Sequence, residues 1–238
     1  MMKGLKSLEV YDLDLTPEIL ERLSIERYLS IDTETGGLDY RDNSLFLVQI
    51  ATISGEVFII KKPDSNSQLL IQLLERSDIG FIFHNAAFDL AFLKMGLMTE
   101  LGTDIHCTKT LMKIAFPQYS SGLGNSLKNI LDIHINKRID HSKWDEEKLS
   151  SRQLEYAAGD VLYLYRLLKV LKTACSPRQY GIYTKSMQAI RLKTFIEVEG
   201  YTDLFRWEKE HSEVSQQNRL WWNRLLSLKF NENKDVAM

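Results

Sequence analysis

Apolar residues recur along this chain in two rhythms. Behind Thr16 and Pro17, the residues Ile19, Leu20 and Leu23 repeat at helical spacing. Residues 17–29 therefore read as a helix with Thr16 as N-cap and Pro17 in its first turn. Residues 28–34 then read as a strand, broken by Thr35-Gly36-Gly37. Dense apolar runs over 45–52 and 57–60, parted by Ser54-Gly55, read as two more strands, and the three together as an antiparallel meander. Past the meander the period alternates: helix 68–74, a short buried strand 79–83, helix 86–95, an edge or parallel strand 104–107, helix 109–115. Gly122-Leu123-Gly124 reads as a loop, with Asn125 capping a helix through 131. Ser150 or Ser151 is expected to cap one long helix from 153 to about 171, with Leu154, Ala157, Val161, Leu164 and Leu168 as its apolar stripe. Pro177 is expected to end that helix or its connection. The order predicts an α/β fold: a mixed sheet flanked by helices, followed by a helical C-terminal extension.

Composition narrows the class without naming it. The 238 residues are 44% hydrophobic and 26% charged, ordinary for a globular chain and enough for one α/β domain. The expected division is a lead-in over 1–27, a core over 28–175 and an extension over 176–238. No apolar run is long enough for a membrane span, and the N-terminus carries no secretory pattern. Cys107 and Cys175 lack metal-finger spacing and read as reduced thiols, so a cytoplasmic location is expected. The net charge of −2 argues against a broad nonspecific coat on nucleic acid. It leaves room for a compact acidic site whose bound cations reverse the local sign.

Such a site is suggested by acids in three patches. In Ser30-Ile31-Asp32-Thr33-Glu34-Thr35, Asp32 and Glu34 are two apart on a strand and share a face, while Ile31 and Thr33 point the other way. Two carboxylates on one face of a buried strand repel and lose hydration, a cost that a cation relieves. In His84-Asn85-Ala86-Ala87-Phe88-Asp89, Asp89 falls in the first turn of a helix, where the helix dipole alone would favour it. His84 and Asn85 sit at a strand end; a histidine there is more often a structural hydrogen-bonder than a metal ligand. In Tyr156-Ala157-Ala158-Gly159-Asp160, Tyr156 and Asp160 are four apart and share a helix face, which could equally be amphipathic surface.

Taken in order, the three patches resemble the Exo I, Exo II and Exo III motifs of the DEDD exonuclease superfamily. Tyr156, four before the last Asp, places the resemblance in the DEDDy branch. The segments 139–144 and 149–161 are similar to ribonuclease D, and the likeness runs over residues 28–172. It implies an RNase H-like fold and a 3′→5′ exonuclease that releases 5′-monophosphates. It also implies two Mg²⁺ or Mn²⁺ ions held by Asp32, Glu34, Asp89 and Asp160, with Tyr156 orienting the attacking water. Thr35, His84, Asn85, Trp144 and Gln153 are the expected substrate contacts. Lys143 stands where family members often carry Asp. The stretch after residue 172 is too short for the paired helical HRDC domains of larger ribonuclease D proteins.

The expected partner is the 3′ end of single-stranded nucleic acid, RNA before DNA. Residues 195–201 weakly resemble the segment that follows the proofreading domain of family-A DNA polymerases, which keeps a DNA exonuclease as an alternative. A non-catalytic binding or adaptor module is a third reading. Arg178, Lys185, Arg191 and Lys193, interleaved with Tyr180 and Tyr183, form either a solvated helix face or a stacking surface for a nucleic-acid strand. Trp207, Trp221 and Trp222 are expected to pack on the core or on a second subunit.

Overall fold

A computed structural model describes residues 2–135 and 144–201. Trp207, Trp221 and Trp222 lie outside these residues, as do residues 139–143 of the ribonuclease D-like segment. Among the described residues, one mixed sheet has six strands: β1 (Ser7–Asp12), β2 (Tyr28–Thr35), β3 (Leu45–Thr52), β4 (Glu56–Lys61), β5 (Gly80–Phe83) and β6 (Ile105–Cys107). Their order across the sheet is β1-β4-β3-β2-β5-β6. The expected meander is present, since β3 runs antiparallel to both β2 and β4. The strands β1, β5 and β6 join in parallel, β1 on β4 and the other two beyond β2.

The helices are α1 (Pro17–Ser24), α2 (Gln68–Leu74), α3 (Ala86–Leu97), α4 (Thr108–Ala115), α5 (Leu123–Leu131), α6 (Ser151–Leu162), α7 (Leu164–Ala174) and α8 (Pro177–Val198). Three details differ from the sequence reading, each for a local reason, while Ser150 is one of the two expected caps and Pro177 ends the connection after α7. The strand β1 was not expected; it is a half-exposed edge strand whose polar positions hide its period. The first helix stops at Ser24, because Arg27 already offers its carbonyl to Gly80 N–H and the chain is committed to β2. Gly122, not Asn125, is the cap of α5, and Gly124 lies inside the helix. Ser150 is the cap of α6, where its hydroxyl and Gln153 form a capping box. Pro177 opens α8 behind a second capping box of Ser176 and Gln179, using the first-turn position where a missing N–H costs nothing.

The long helix expected over 153–171 is two helices meeting at Tyr163. Its continuous apolar stripe serves two different cores. Ala157, Ala158 and Val161 of α6 pack with Leu47, Ala51, Val57, Ile59, Trp144 and Leu149. Leu164, Leu167, Leu168 and Leu171 of α7 join the larger core with Leu29, Ile31, Val48, Ile50, Phe58 and Ile60. The helix turns to follow its burial, and the Tyr163 hydroxyl holds the corner by donating to the Lys3 carbonyl at 3.0 Å.

Sheet register separates the two cores. Asp32 opposes Gln49 and Gln49 opposes Ile59, so Asp32, Gln49 and Ile59 share the face covered by α6. Thr33 opposes Val48 and Val48 opposes Ile60, on the other face. Met1–Tyr201 cluster as one compact unit, which includes β1 and also α8, packed on α3 and α4. No helix among the described residues is long and apolar enough to cross a membrane.

Candidate active site

The strand β2 outruns its neighbour. Its pairing with β5 covers only Tyr28 to Ser30, while its pairing with β3 continues to Thr35 through an irregularity at Glu34 and Thr35. The far half of β2 therefore has one side without β5, and there the acidic residues gather. Asp32 and Glu34 project on the α6 face, as their spacing requires. Asp160, one turn beyond Tyr156, comes down from α6 to meet them. One carboxylate oxygen from each of Asp32, Glu34 and Asp160 lies within 4.8 Å of the other two. Glu34 is 9% exposed and Asp160 is 5% exposed.

Asp32 is partly exposed, and three carboxylates so close, two of them nearly buried, repel unless protons or cations intervene. The donors are hard oxygens with no Cys or His among them, which suits Mg²⁺, Mn²⁺ or Ca²⁺ and not zinc. The residues thus fit a divalent ion on chemical grounds.

Asp89 reaches the site from the opposite side. It stands in the first turn of α3, 2% exposed. Thr33, on the face away from Asp32, donates its hydroxyl to Asp89 Oδ1 at 2.9 Å. This bond ties the Asp89 carboxyl to the stretch of β2 beyond β5. Burial pushes the Asp89 carboxyl up to about 7; the Thr33 hydrogen bond opposes this and the Asp160 charge adds to it. Asp89 is near Asp160 electrostatically but outside the tight trio of oxygens.

Tyr156 completes the group. Burial raises its phenol well above the ordinary tyrosine range, and the charges of Asp160, Glu34 and Asp32 raise it further. Its hydrogen bond with Asp160 acts in the same sense. The phenol therefore keeps its proton and can act as a hydrogen-bond donor. Trp144 packs against it, ring centroids 5.9 Å apart. Beside Tyr156 and Asp160 opens a cavity of about 400 Å³ that Lys3, Arg152, Tyr163 and Arg166 also line.

The expected substrate contacts have the following places in the fold. Trp144 is 1% exposed and belongs to the core beneath α6. Gln153 is 6% exposed, and its side-chain oxygen accepts from the Ser150 N–H of the capping box. His84 ties the end of β5 to two later segments, with Nδ1 2.7 Å from Thr108 Oγ1 and Nε2 2.9 Å from the Ser121 carbonyl. Thr35 donates to the Gly37 carbonyl at 2.7 Å, holding the turn after β2. Asn85 remains exposed at the start of α3, where it accepts from Lys109 Nζ at 3.3 Å. Of the two tail tyrosines, Tyr183 is buried and its hydroxyl accepts from Cys107 N–H, so no strand can stack on it.

Thr33 and the cations Arg152 and Arg166 were not singled out from the sequence. Arg152 lies four residues before Tyr156 and so shares its helix face, a signal that spacing alone carries. Thr33 gave no such signal, because its partner comes from a distant helix.

An acidic cluster on the central strand of a mixed sheet, closed by a tyrosine-bearing helix, defines a candidate metal-dependent hydrolase site. The chain belongs to the 3′-5′ exonuclease family, whose model matches residues 9–175. Among curated relatives, ribonuclease D of Gluconacetobacter diazotrophicus is 31% identical over 160 residues, 66% of this chain and 40% of that protein. DNA polymerase I of Aquifex aeolicus is 29% identical over 164 residues, 64% of this chain and 25% of that protein. The chain thus spans less than half the length of these relatives. Brucella melitensis NrnC bound to pGG superposes with a TM-score of 0.74 at 28% identity, covering 86% of this chain and 99% of that one. The same protein with bound Mg²⁺ gives a TM-score of 0.72 at 29% identity, covering 86% of this chain and 100% of that one.

Proposed function

We propose that the protein is a two-metal-ion 3′→5′ exonuclease that shortens single-stranded RNA from its 3′ end and releases 5′-monophosphates. The observation that carries this reading is the convergence of Asp32, Glu34 and Asp160 beside the protonated phenol of Tyr156. Asp89 serves as the fourth ligand, oriented by Thr33. Divalent ions bound there, Mg²⁺ or Mn²⁺, would lower the pKa of a bound water and neutralise charge on the scissile phosphate. The chain's own part is to hold those carboxylates at fixed spacing and to aim the Tyr156 O–H at the attacking oxygen. The adjoining cavity carries Lys3, Arg152 and Arg166 together with Asp132 and Glu155, and its three cations supply groups that can pair with phosphate.

RNA is favoured over DNA because a ribonuclease D and the pGG-bound NrnC are among the similar proteins. The DNA reading is supported by the match to a DNA polymerase I. The test is a 5′-labelled single-stranded RNA and its DNA counterpart, each incubated with Mg²⁺, Mn²⁺ or EDTA. A ladder shortening from the 3′ end with metal, faster on RNA and absent with EDTA, supports the proposal. Faster cleavage of DNA favours the polymerase-like alternative. No shortening of either by folded protein sinks the enzyme reading and leaves a binding module.

A further inference from the structure

Gln49 sits in the middle of β3, 0% exposed, and neither its Oε1 nor its Nε2 has a hydrogen-bond partner. A fully buried primary amide with both ends unmet is costly and uncommon in a native fold. Its position gives the cost a meaning. Gln49 is the direct cross-strand partner of Asp32, so both side chains leave the same face of the sheet. Cβ atoms of such a pair lie about 4.5–5.5 Å apart, within reach of a glutamine side chain. The residues flanking Gln49 on that face, Leu47 and Ala51, and its other cross-strand partner Ile59 all pack in the cluster that contains Trp144. Trp144 carries a third unmet atom, its buried Nε1. One apolar cluster beneath α6 therefore holds an orphaned acceptor and two orphaned donor groups, bordered by a carboxylate. An indole N–H only donates, an amide does both and a carboxylate only accepts, so the three groups match in one direction.

We propose that Gln49 is a positioning residue for Asp32: in the metal-loaded protein its Nε2–H donates to the Asp32 carboxylate while its Oε1 accepts from the Trp144 indole N–H. The relay rests on the metal-binding reading of Asp32. It fixes which oxygen Asp32 presents to a cation. It also links that choice to Trp144, which touches the ring of Tyr156. Outer partners of this kind orient metal-binding carboxylates and typically change metal affinity by about 10–100-fold when lost.

The test substitutes Gln49→Met, close in volume and without polar ends, and measures three things on the full chain. Melting in EDTA is expected to be unchanged or higher, since the amide makes no bond without metal. The Kd for Mn²⁺ by calorimetry is expected to weaken at least about tenfold. The indole ¹⁵N–¹H resonance of Trp144, assigned through Trp144→Phe, is expected to shift on Mn²⁺-free Mg²⁺ addition in the wild type and not in Gln49→Met. A Kd within twofold of wild type, or a resonance that responds alike in both, overturns the relay while leaving the metal site standing. A large loss of melting temperature in EDTA also overturns it, because the amide would then be a structural bond of the core. A wild type that binds no Mn²⁺ overturns the metal reading and the relay with it.

Discussion

The side chain of Thr33 donates to Asp89 across 2.9 Å, although Thr33 lies between two acids that face the other way. This bond ties an acid of α3 to the strand whose other face carries Asp32 and Glu34. Replacing Thr33 with Val keeps shape and burial and removes only the hydroxyl. We expect Mn²⁺ affinity to fall about 10–100-fold, as for other partners of metal-binding groups. Calorimetric titration checks this; a Kd equal to wild type would show that Asp89 needs no such hold.

Asp160→Asn should separate stability from activity. Without metal, the change removes one of three crowded charges, so melting in EDTA is expected to rise. With metal, the cleavage rate should fall by more than about 100-fold, beyond what an outer partner costs. The wild type should gain about 2.7 kcal/mol when a bound ion is present at 100 times its Kd, and Asp160→Asn should lose most of that gain. Melting curves with and without Mn²⁺ read both effects, and Asp32→Ala should likewise lose cleavage while keeping the fold.

Tyr156→Phe tests the phenol alone. Its ring still packs on Trp144, so folding and Mn²⁺ affinity should hold. Removing the donor should slow kcat by about 10- to 100-fold, less than full proton transfer commonly supplies. The rate should also show no tyrosine-like ionisation below pH 10, because burial and the nearby carboxylates keep the phenol protonated. A wild-type rate in Tyr156→Phe would remove the tyrosine from the chemistry.

A second titrating cluster governs stability at the far edge of the sheet. Burial drives His106 down to about 4, with the Lys172 charge adding to the effect and Asp104 opposing it; Arg27 and Tyr183 also face the ring. The folded state thus holds His106 neutral where the unfolded chain, with an ordinary value near 6.5, would take up a proton. The stability this contributes is complete above pH 6.5 and is lost as pH falls through about 4. The gap amounts to at most about 3 kcal/mol. Melting temperature should fall between those values, and His106→Phe should flatten the slope. An unchanged slope in that variant would place the acid sensitivity elsewhere.

Much of this architecture was legible because burial and period agree locally. The strand 45–52 is apolar except at Gln49 and Thr52 and has the ends its pattern predicts, and spacing alone puts Asp32 and Glu34 on one face. What could not be read depends on distant partners. The stripe through Leu154 and Leu168 looked continuous, yet α6 and α7 bury it in separate cores. The motif that holds Trp144 and Gln153 says nothing of their burial, which puts one in the core beneath α6 and the other in a helix cap. His84 was read as a structural hydrogen-bonder as well as a substrate contact, and its two nitrogens bear out the first role. Thr33 pairs with a residue 56 positions away, which no local pattern announces.

The strand β2 runs past the end of β5 and receives α3 from one side and α6 from the other. Asp89 belongs to a helix rooted in the larger core and Asp160 to a helix rooted in the smaller one. A cation bound between them would act as a rivet through the sheet, fastening two separately packed bodies across a single strand. Stripping the metal should therefore loosen both helices together in hydrogen exchange, while the meander of β2, β3 and β4 stays protected.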